Sequence, residues 1–187
     1  MRTLERFITC LCGDFDNQDQ IGEEMKTNRL LHPLATHRNR IINDHIDNLP
    51  EHFSGFFILE ESYYVDEKGK KAQPHLFLFQ ENEKGNVELL SYEIPKQYNQ
   101  NTFVYGDDLK LDYRELIRSE KFKPMEYYEK DGVFIGESEN QFSPAVTFQL
   151  CESISLDGLS VSETLLVNGR RTMGYDTPIF YKRIAVQ

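Results

Sequence analysis

At 187 residues the chain is long enough to bury a real core as one domain over residues 1–187, and 39% hydrophobic with 28% charged residues is ordinary for a soluble globular protein. A formal net charge of −10 excludes broad electrostatic binding to nucleic acid or to an anionic membrane surface, because both need a basic face. No apolar run reaches membrane-spanning length, and the opening Met1-Arg2-Thr3-Leu4-Glu5-Arg6-Phe7 lacks the continuous apolar core of a secretory signal, so a cytoplasmic location is expected.

Leu4, Phe7, Ile8, Leu11, Cys12 and Phe15 recur at helical spacing with charges between them, which predicts an amphipathic N-terminal helix. Thr3 is its expected N-cap and Gly13 its stop. Residues 16–28 are polar and either extend this helix or form a loop. From about residue 34 the pattern changes to strands. Gly55–Val65 is rich in aromatic and β-branched residues and runs into a turn at Asp66–Lys71. His75–Gln80, a turn at Glu83–Asn86 and Val87–Ile94 follow. After a less regular stretch, Met125–Tyr128 and Val133–Ile135 flank Lys130-Asp131-Gly132, a short-hairpin signal. Ala145–Cys151, Leu159–Val167, Arg170–Met173 and Ile179–Ile184 complete the series, with turns at Asp157-Gly158 and Asn168-Gly169.

Short strands joined by tight glycine-containing turns predict an antiparallel meander, and the absence of helical crossovers disfavours a parallel α/β fold. Several strands are apolar on both faces, as with His75, Phe77 and Phe79 against Leu76 and Leu78. One face is expected to line an interior and the other to pack under the N-terminal helix. A closed barrel also removes exposed strand edges, so a barrel is favoured over a sandwich.

The usual catalytic signatures are missing. The sequence has no phosphate-cradling glycine loop, no Gly-x-Ser-x-Gly elbow, no His-Glu-x-x-His and no Cys-x-x-Cys. Cys10, Cys12 and Cys151 are an odd number without metal spacing and are read as small buried side chains; the five histidines likewise lack a ligand pattern, so no metal is expected. The strand Gly55–Val65 is more informative. Strict alternation puts Phe57, Leu59, Glu61 and Tyr63 on one face and Phe56, Ile58, Glu60, Ser62 and Tyr64 on the other. Either choice of interior buries one carboxylate and one tyrosine beside large apolar groups, and such a carboxylate needs a partner or takes a raised pKa.

Three blocks of the chain resemble a known family. Asp14-Phe15-x-Asn17-Gln18-x-Gln20 follows the short helix; Gly55-Phe56-Phe57 leads to Glu60-Glu61-Ser62-Tyr63; and Gly174, Pro178, Tyr181 and Arg183 recur near the C-terminal end. In this order they resemble the CpcT/CpeT family of phycobiliprotein chromophore lyases. The resemblance implies a calycin- or lipocalin-like antiparallel β-barrel with a short N-terminal helix, a mainly β fold. It implies thioether formation between a linear tetrapyrrole (bilin) and a cysteine of a phycobiliprotein subunit, with no cofactor required. A homodimer is a further expected partner.

The resemblance also selects residues. Glu60 and Tyr63 are the catalytic candidates, with Glu60 or Glu61 accepting pyrrole N–H groups and Tyr63 lining the site. Arg38, Arg171 and Arg183 are candidates for the propionates, and Asn17 and Gln18 for further ligand contacts, though their block more directly marks the junction of helix and barrel. The chain departs from the family at Glu61, where the family has glutamine, in the lysine-rich hairpin Lys68–Lys71, and at Glu137–Asn140, where family members carry a cysteine in a loop. Two other readings stand beside the lyase: a non-catalytic barrel binding an apolar or tetrapyrrole-like molecule, and an interaction module with a filled core.

Overall fold

The computed structural model describes residues 2–66 and 69–184, so Glu67 and Lys68 of the expected lysine-rich turn lie outside the described residues. A helix α1 (Thr3–Leu11) is followed by β1 (Gly13–Asp16), a second helix α2 (Gln18–Lys26) and β2 (Leu34–Ile41). Then come β3 (Ile46–Asp47), β4 (Phe56–Asp66), β5 (Gly69–Glu81), β6 (Val87–Tyr92) and β7 (Leu111–Asp112). The C-terminal half supplies β8 (Met125–Lys130), β9 (Val133–Ser143), β10 (Val146–Ile154), β11 (Gly158–Val167), β12 (Arg170–Met173) and β13 (Ile179–Ile184).

The main sheet runs β10-β9-β8-β6-β5-β4-β2-β1-β13-β11-β12, and β10 also pairs with β11. That last pairing closes ten antiparallel strands into a barrel and leaves β12 as a flap hydrogen-bonded to β11. β3 and β7 pair in parallel outside it. The hairpin signals act as read. Asp131 and Gly132 have φ of 53° and 80°, and Asn168 and Gly169 have 50° and 74°, the left-handed pairs that two-residue hairpin loops require.

The first residues differ from expectation in detail. Arg2, not Thr3, precedes the helix, and its N–H donates to Glu5 Oε2 at 3.0 Å. Gly13 ends the helix as expected, but residues 13–16 are extended. They make β1, which joins β2 to β13 and buries Phe15 completely. The helical spacing of Phe15 was therefore overridden by barrel closure. The polar segment beyond it forms α2, which buries Ile21.

Helix α1 buries Leu4, Phe7, Ile8, Cys10 and Leu11. These residues share one cluster with inward side chains from most of the barrel strands, including Ala35, Ile58, Phe79, Tyr127, Phe134 and Ile154. The helix thus occupies the barrel's interior side rather than its outer wall. Phe7 is the centre: its ring lies 5.0 Å from Phe79, 4.8 Å from Tyr127 and 5.2 Å from Phe134. The outer face of β4 and β5, expected to pack under the N-terminal helix, is covered instead by the irregular segment after β6. Phe57, Leu59, Leu76 and Leu78 pack there with Phe103, Leu109 and Leu111. Two-faced apolar strands are explained by two cores, one inside the barrel and one outside.

The carboxyl end of α1 is held by groups from distant strands. Arg183 of β13 donates to the carbonyls of Cys12 at 2.7 Å, Cys10 at 2.6 Å and Thr9 at 3.3 Å, and its guanidinium lies 4.6 Å from the Phe15 ring centre. Asn39 of β2 donates to Leu11 O at 3.0 Å. A cation on the last carbonyls satisfies otherwise orphaned acceptors and complements the helix dipole. Because Phe7 has no exposed surface and aromatic neighbours on three sides, Phe7→Ala is expected to cost about 3–5 kcal/mol of stability. Equilibrium denaturant unfolding of the variant measures this directly.

Candidate functional site

Barrel closure decides which face of β4 is interior. Phe56, Ile58, Glu60, Ser62 and Tyr64 point inward; Phe57, Leu59, Glu61 and Tyr63 point outward. Register then brings partners to Glu60. It lies opposite His75 of β5 and Asn39 of β2, while His37 lies opposite Ser62. Across the interior, β10 presents Glu152 and β11 presents Val161 and Glu163. These groups line a cavity of about 350 Å³ that extends from Leu11 of α1, past the aromatic wall of Phe77 and Phe79, to the exposed Lys121 and Lys123 at its outer edge. A cavity of this size and mixed lining is in the range of small-molecule sites.

His37 is buried, and its Nε2 lies 3.2 Å from Ser62 Oγ. Its Nδ1 faces Glu60 Oε2 at 3.7 Å, close enough for charge attraction but too long for a hydrogen bond. Nδ1 has no hydrogen-bond partner among the described residues. Burial opposes charge on both members of this pair. The attraction between them outweighs it, so the Glu60 carboxyl is held below the usual carboxylate range and the His37 imidazolium is raised above the usual histidine value. His75 and the Ser62 hydroxyl assist Glu60; Glu163 and Glu152 assist His37.

Glu152 behaves differently. Burial, followed by the negative charge of Glu60, pushes its carboxyl up to about 7, although Tyr127 donates its hydroxyl to Glu152 Oε2 and His37 pulls the other way. Glu163 is also raised, by burial and by Glu60, against His75 and His37. The cavity therefore combines a pair whose charged forms favour each other with an acid whose proton affinity is raised to about 7. Tyr127 reaches Glu152 across β9 because Gly136 stands between them in register with both. A Cβ at Gly136 would meet the Tyr127 ring at 2.7 Å, so any larger residue would displace the tyrosine. No group of three or more His, Cys, Asp or Glu residues is arranged to hold a metal ion among the described residues.

Of the residues selected from sequence, Glu60 alone lines this cavity. Glu61 is buried on the outer face, where it accepts hydrogen bonds from the Tyr105 N–H at 3.0 Å and from the Tyr63 hydroxyl. Tyr63 is pushed up to about 12 by burial and by Glu61, and its ring carries Lys70 at 4.2 Å. The arginines are engaged elsewhere. Arg38 pairs with Asp14, Arg171 with Asp176, and Arg183 caps α1. Asn17 is fully buried, donating to Pro33 O at 2.9 Å and accepting from the Ala35 N–H at 2.8 Å. Gln18 is exposed, and its N–H bonds Asp16 Oδ1 at 3.1 Å. Nearby Gln20 bonds Pro178 O and the Phe180 N–H, both at 3.0 Å, so the opening and closing blocks of the family resemblance touch each other.

His37, His75, Tyr127, Glu152 and Glu163 were not selected from sequence. His75 shared a face with Phe77 and Phe79, and once Glu60 is interior that phase could have found it. Glu152 and Glu163 depend on pairings between strands far apart in the chain.

Among solved structures, the chain is similar to the T-type phycobiliprotein lyase CpeT from Prochlorococcus phage P-HM1. The two share 11% sequence identity over 99% of this chain and 100% of that one, with a TM-score of 0.55. The fold matches the CpeT barrel. No protein-family model and no curated protein matches the sequence. The CpeT likeness agrees with the expected mainly β barrel, while the α2 helix and the outer core are additions to that expectation. Among the described residues, no helix is long and apolar enough to cross a membrane.

The pH dependence of stability tests the interior acid. A carboxyl raised from 4.5 to about 7 in the folded chain binds more protons there than when unfolded, so its contribution to stability is complete below about 4.5 and is lost as pH rises through 7. The stability difference between wild type and Glu152→Gln, followed by urea denaturation, is expected to fall steadily from pH 4.5 to 7 and flatten above. A difference independent of pH would contradict the assignment.

Proposed function

We propose that this chain binds a linear tetrapyrrole inside its barrel and presents it, in the cytoplasm, to a phycobiliprotein cysteine for thioether formation. The observation that carries the reading is the Glu60–His37 pair, a half-buried carboxylate beside a buried imidazole, facing an aromatic-walled cavity within a fold similar to that of a phycobiliprotein lyase. Ionised Glu60 suits the N–H groups of pyrrole rings, and Phe77 and Phe79 suit their faces. The cavity-edge Lys121 and Lys123 take the propionates in place of Arg38, Arg171 and Arg183, which are engaged elsewhere. Tyr63 and Glu61 act in this reading from behind the wall, by fixing the Tyr105 backbone.

The reaction is an addition. The acceptor sulfur bonds to the ethylidene carbon, the thiol loses its proton, and the tetrapyrrole gains one, so nothing is oxidised and no group leaves. The protein's part is to orient the pigment and manage that proton. Glu152, with Tyr127 behind it, is the group whose proton affinity suits delivery near neutral pH. No metal or redox cofactor is needed for these steps. The attacking thiol belongs to the acceptor: burial raises Cys10 and pushes Cys12 up to about 11, and Cys151, which is exposed on β10 and not buried as expected, is raised by partial desolvation and by the charges of Glu137 and Glu152.

Co-expression of this chain with bilin synthesis and a phycobiliprotein β-subunit should yield a covalently coloured acceptor, and Glu60→Ala should reduce that yield by at least tenfold. A purified wild-type chain that changes no bilin absorbance would overturn the proposal. Reversible bilin binding without any coloured acceptor would instead establish the non-catalytic carrier, which uses the same cavity.

A further inference from the structure

A second cavity, of about 200 Å³, lies under the β12 flap and the segment joining it to β13. Tyr64 and Gln73 of the barrel wall line it together with Met173, Tyr175, Ile179 and Tyr181. It adjoins the first cavity, since both are lined by Val161 and Glu163. A third link joins them: the His37 ring, in the first cavity, and the Tyr181 ring, in the second, have centres 4.4 Å apart. The two chambers therefore meet at a thin partition of side chains.

Each side of that partition carries a buried polar atom that makes no well-formed hydrogen bond among the described residues: His37 Nδ1, which faces Glu60 at 3.7 Å, and the Tyr181 hydroxyl, whose neighbour in the chamber is the Tyr64 hydroxyl, too poorly aligned to satisfy it. Tyr181 is only 3% exposed. Leaving a buried hydroxyl unsatisfied costs free energy, so such groups need a reason to persist. Phenylalanine would fill the same space without that cost. The lining offers what an aromatic or conjugated ring would need, with three tyrosines and Met173 as walls. The Tyr181 hydroxyl then supplies one donor for a carbonyl on that ring.

We propose that the second chamber is a subsite for one end ring of an extended ligand, with Tyr181 donating its hydroxyl hydrogen to that ring's lactam carbonyl. This deepens the tetrapyrrole reading and rests on it: the inner rings lie by Glu60 and His37, one terminal lactam lies by Tyr181, and the opposite end points to the Lys121–Lys123 edge where an acceptor can approach. Tyr181 sets the direction in which the pigment enters, and is a binding rather than a catalytic residue.

Two probes separate this proposal from the reading beneath it. Biliverdin has four rings and two terminal lactams; a dipyrrinone has one lactam and one pyrrole. Absorbance titrations of both into wild type, Tyr181→Phe and Glu60→Gln give the affinities, and urea denaturation gives the stability of the variants. Tyr181→Phe is expected to weaken both probes by roughly tenfold, the worth of one hydrogen bond in a buried site, while its denaturation midpoint stays equal or rises. Glu60→Gln should weaken biliverdin and leave the dipyrrinone nearly unchanged. Biliverdin binding that is Glu60-dependent but indifferent to Tyr181→Phe would overturn the subsite and leave the tetrapyrrole reading standing. Tyr181-dependent dipyrrinone binding without biliverdin binding would support the lactam subsite and remove the tetrapyrrole reading. Failure of both probes would overturn both, and a marked loss of stability in Tyr181→Phe would show that the hydroxyl serves the fold, overturning the subsite.

Discussion

A ring of ten strands encloses more space than its own side chains can fill, and that constraint shapes everything else in this molecule. Eight strands give an interior that side chains just fill; two more leave a void that must be plugged, collapsed or used. The chain plugs part of it with α1. Phe7 enters an aromatic nest and the helix end is tied to the wall by Arg183 and Asn39, so the plug is fixed by charge and hydrogen bonds as well as by packing. What the helix leaves is the pair of chambers, and the chain spends polar residues there instead of filling them.

That choice has a cost. A buried ion pair seldom stabilises a fold relative to well-packed apolar groups, because desolvation offsets the attraction. Glu60 and His37 are therefore poor investments in stability, and Glu163 and Glu152 are worse, since their burial raises both carboxyls. His37 Nδ1 and the Tyr181 hydroxyl, neither well satisfied among the described residues, add to the penalty. An interior built this way resembles a binding site more than a core, with aromatic walls for a flat apolar ligand and ionisable groups set at fixed positions along it. The outer core supports the same arrangement from behind: Glu61, Tyr63 and the Tyr105 backbone hold the irregular segment against β4, whose opposite face carries Glu60.

Much of the fold was legible in the sequence, and the reasons are local. Asp131-Gly132 and Asn168-Gly169 specify their hairpins by backbone conformation alone, and α1 follows from the spacing of Leu4, Phe7, Ile8 and Leu11. Phe15 departs from its helical spacing because that spacing cannot reveal that a four-residue strand must close a barrel between β2 and β13. The site was only half legible. Alternation in β4 gave two candidate faces, but both were apolar, so periodicity could not say which one was interior. The partners of Glu60 come from β2 and β5 by register, and Glu152 and Glu163 from β10 and β11 across the barrel. Chemistry by residue type also misled: Arg183 looked like an anion ligand, yet helix carbonyls claim it.

The most direct measurement is a crystal structure of the chain bound to biliverdin. Electron density for the pigment is expected inside the barrel, with pyrrole nitrogens within hydrogen-bond distance of Glu60, propionates towards Lys121 and Lys123, and a terminal lactam at Tyr181. Pigment bound only on the outer surface, with the interior empty or closed by side chains, would contradict the barrel as the binding site.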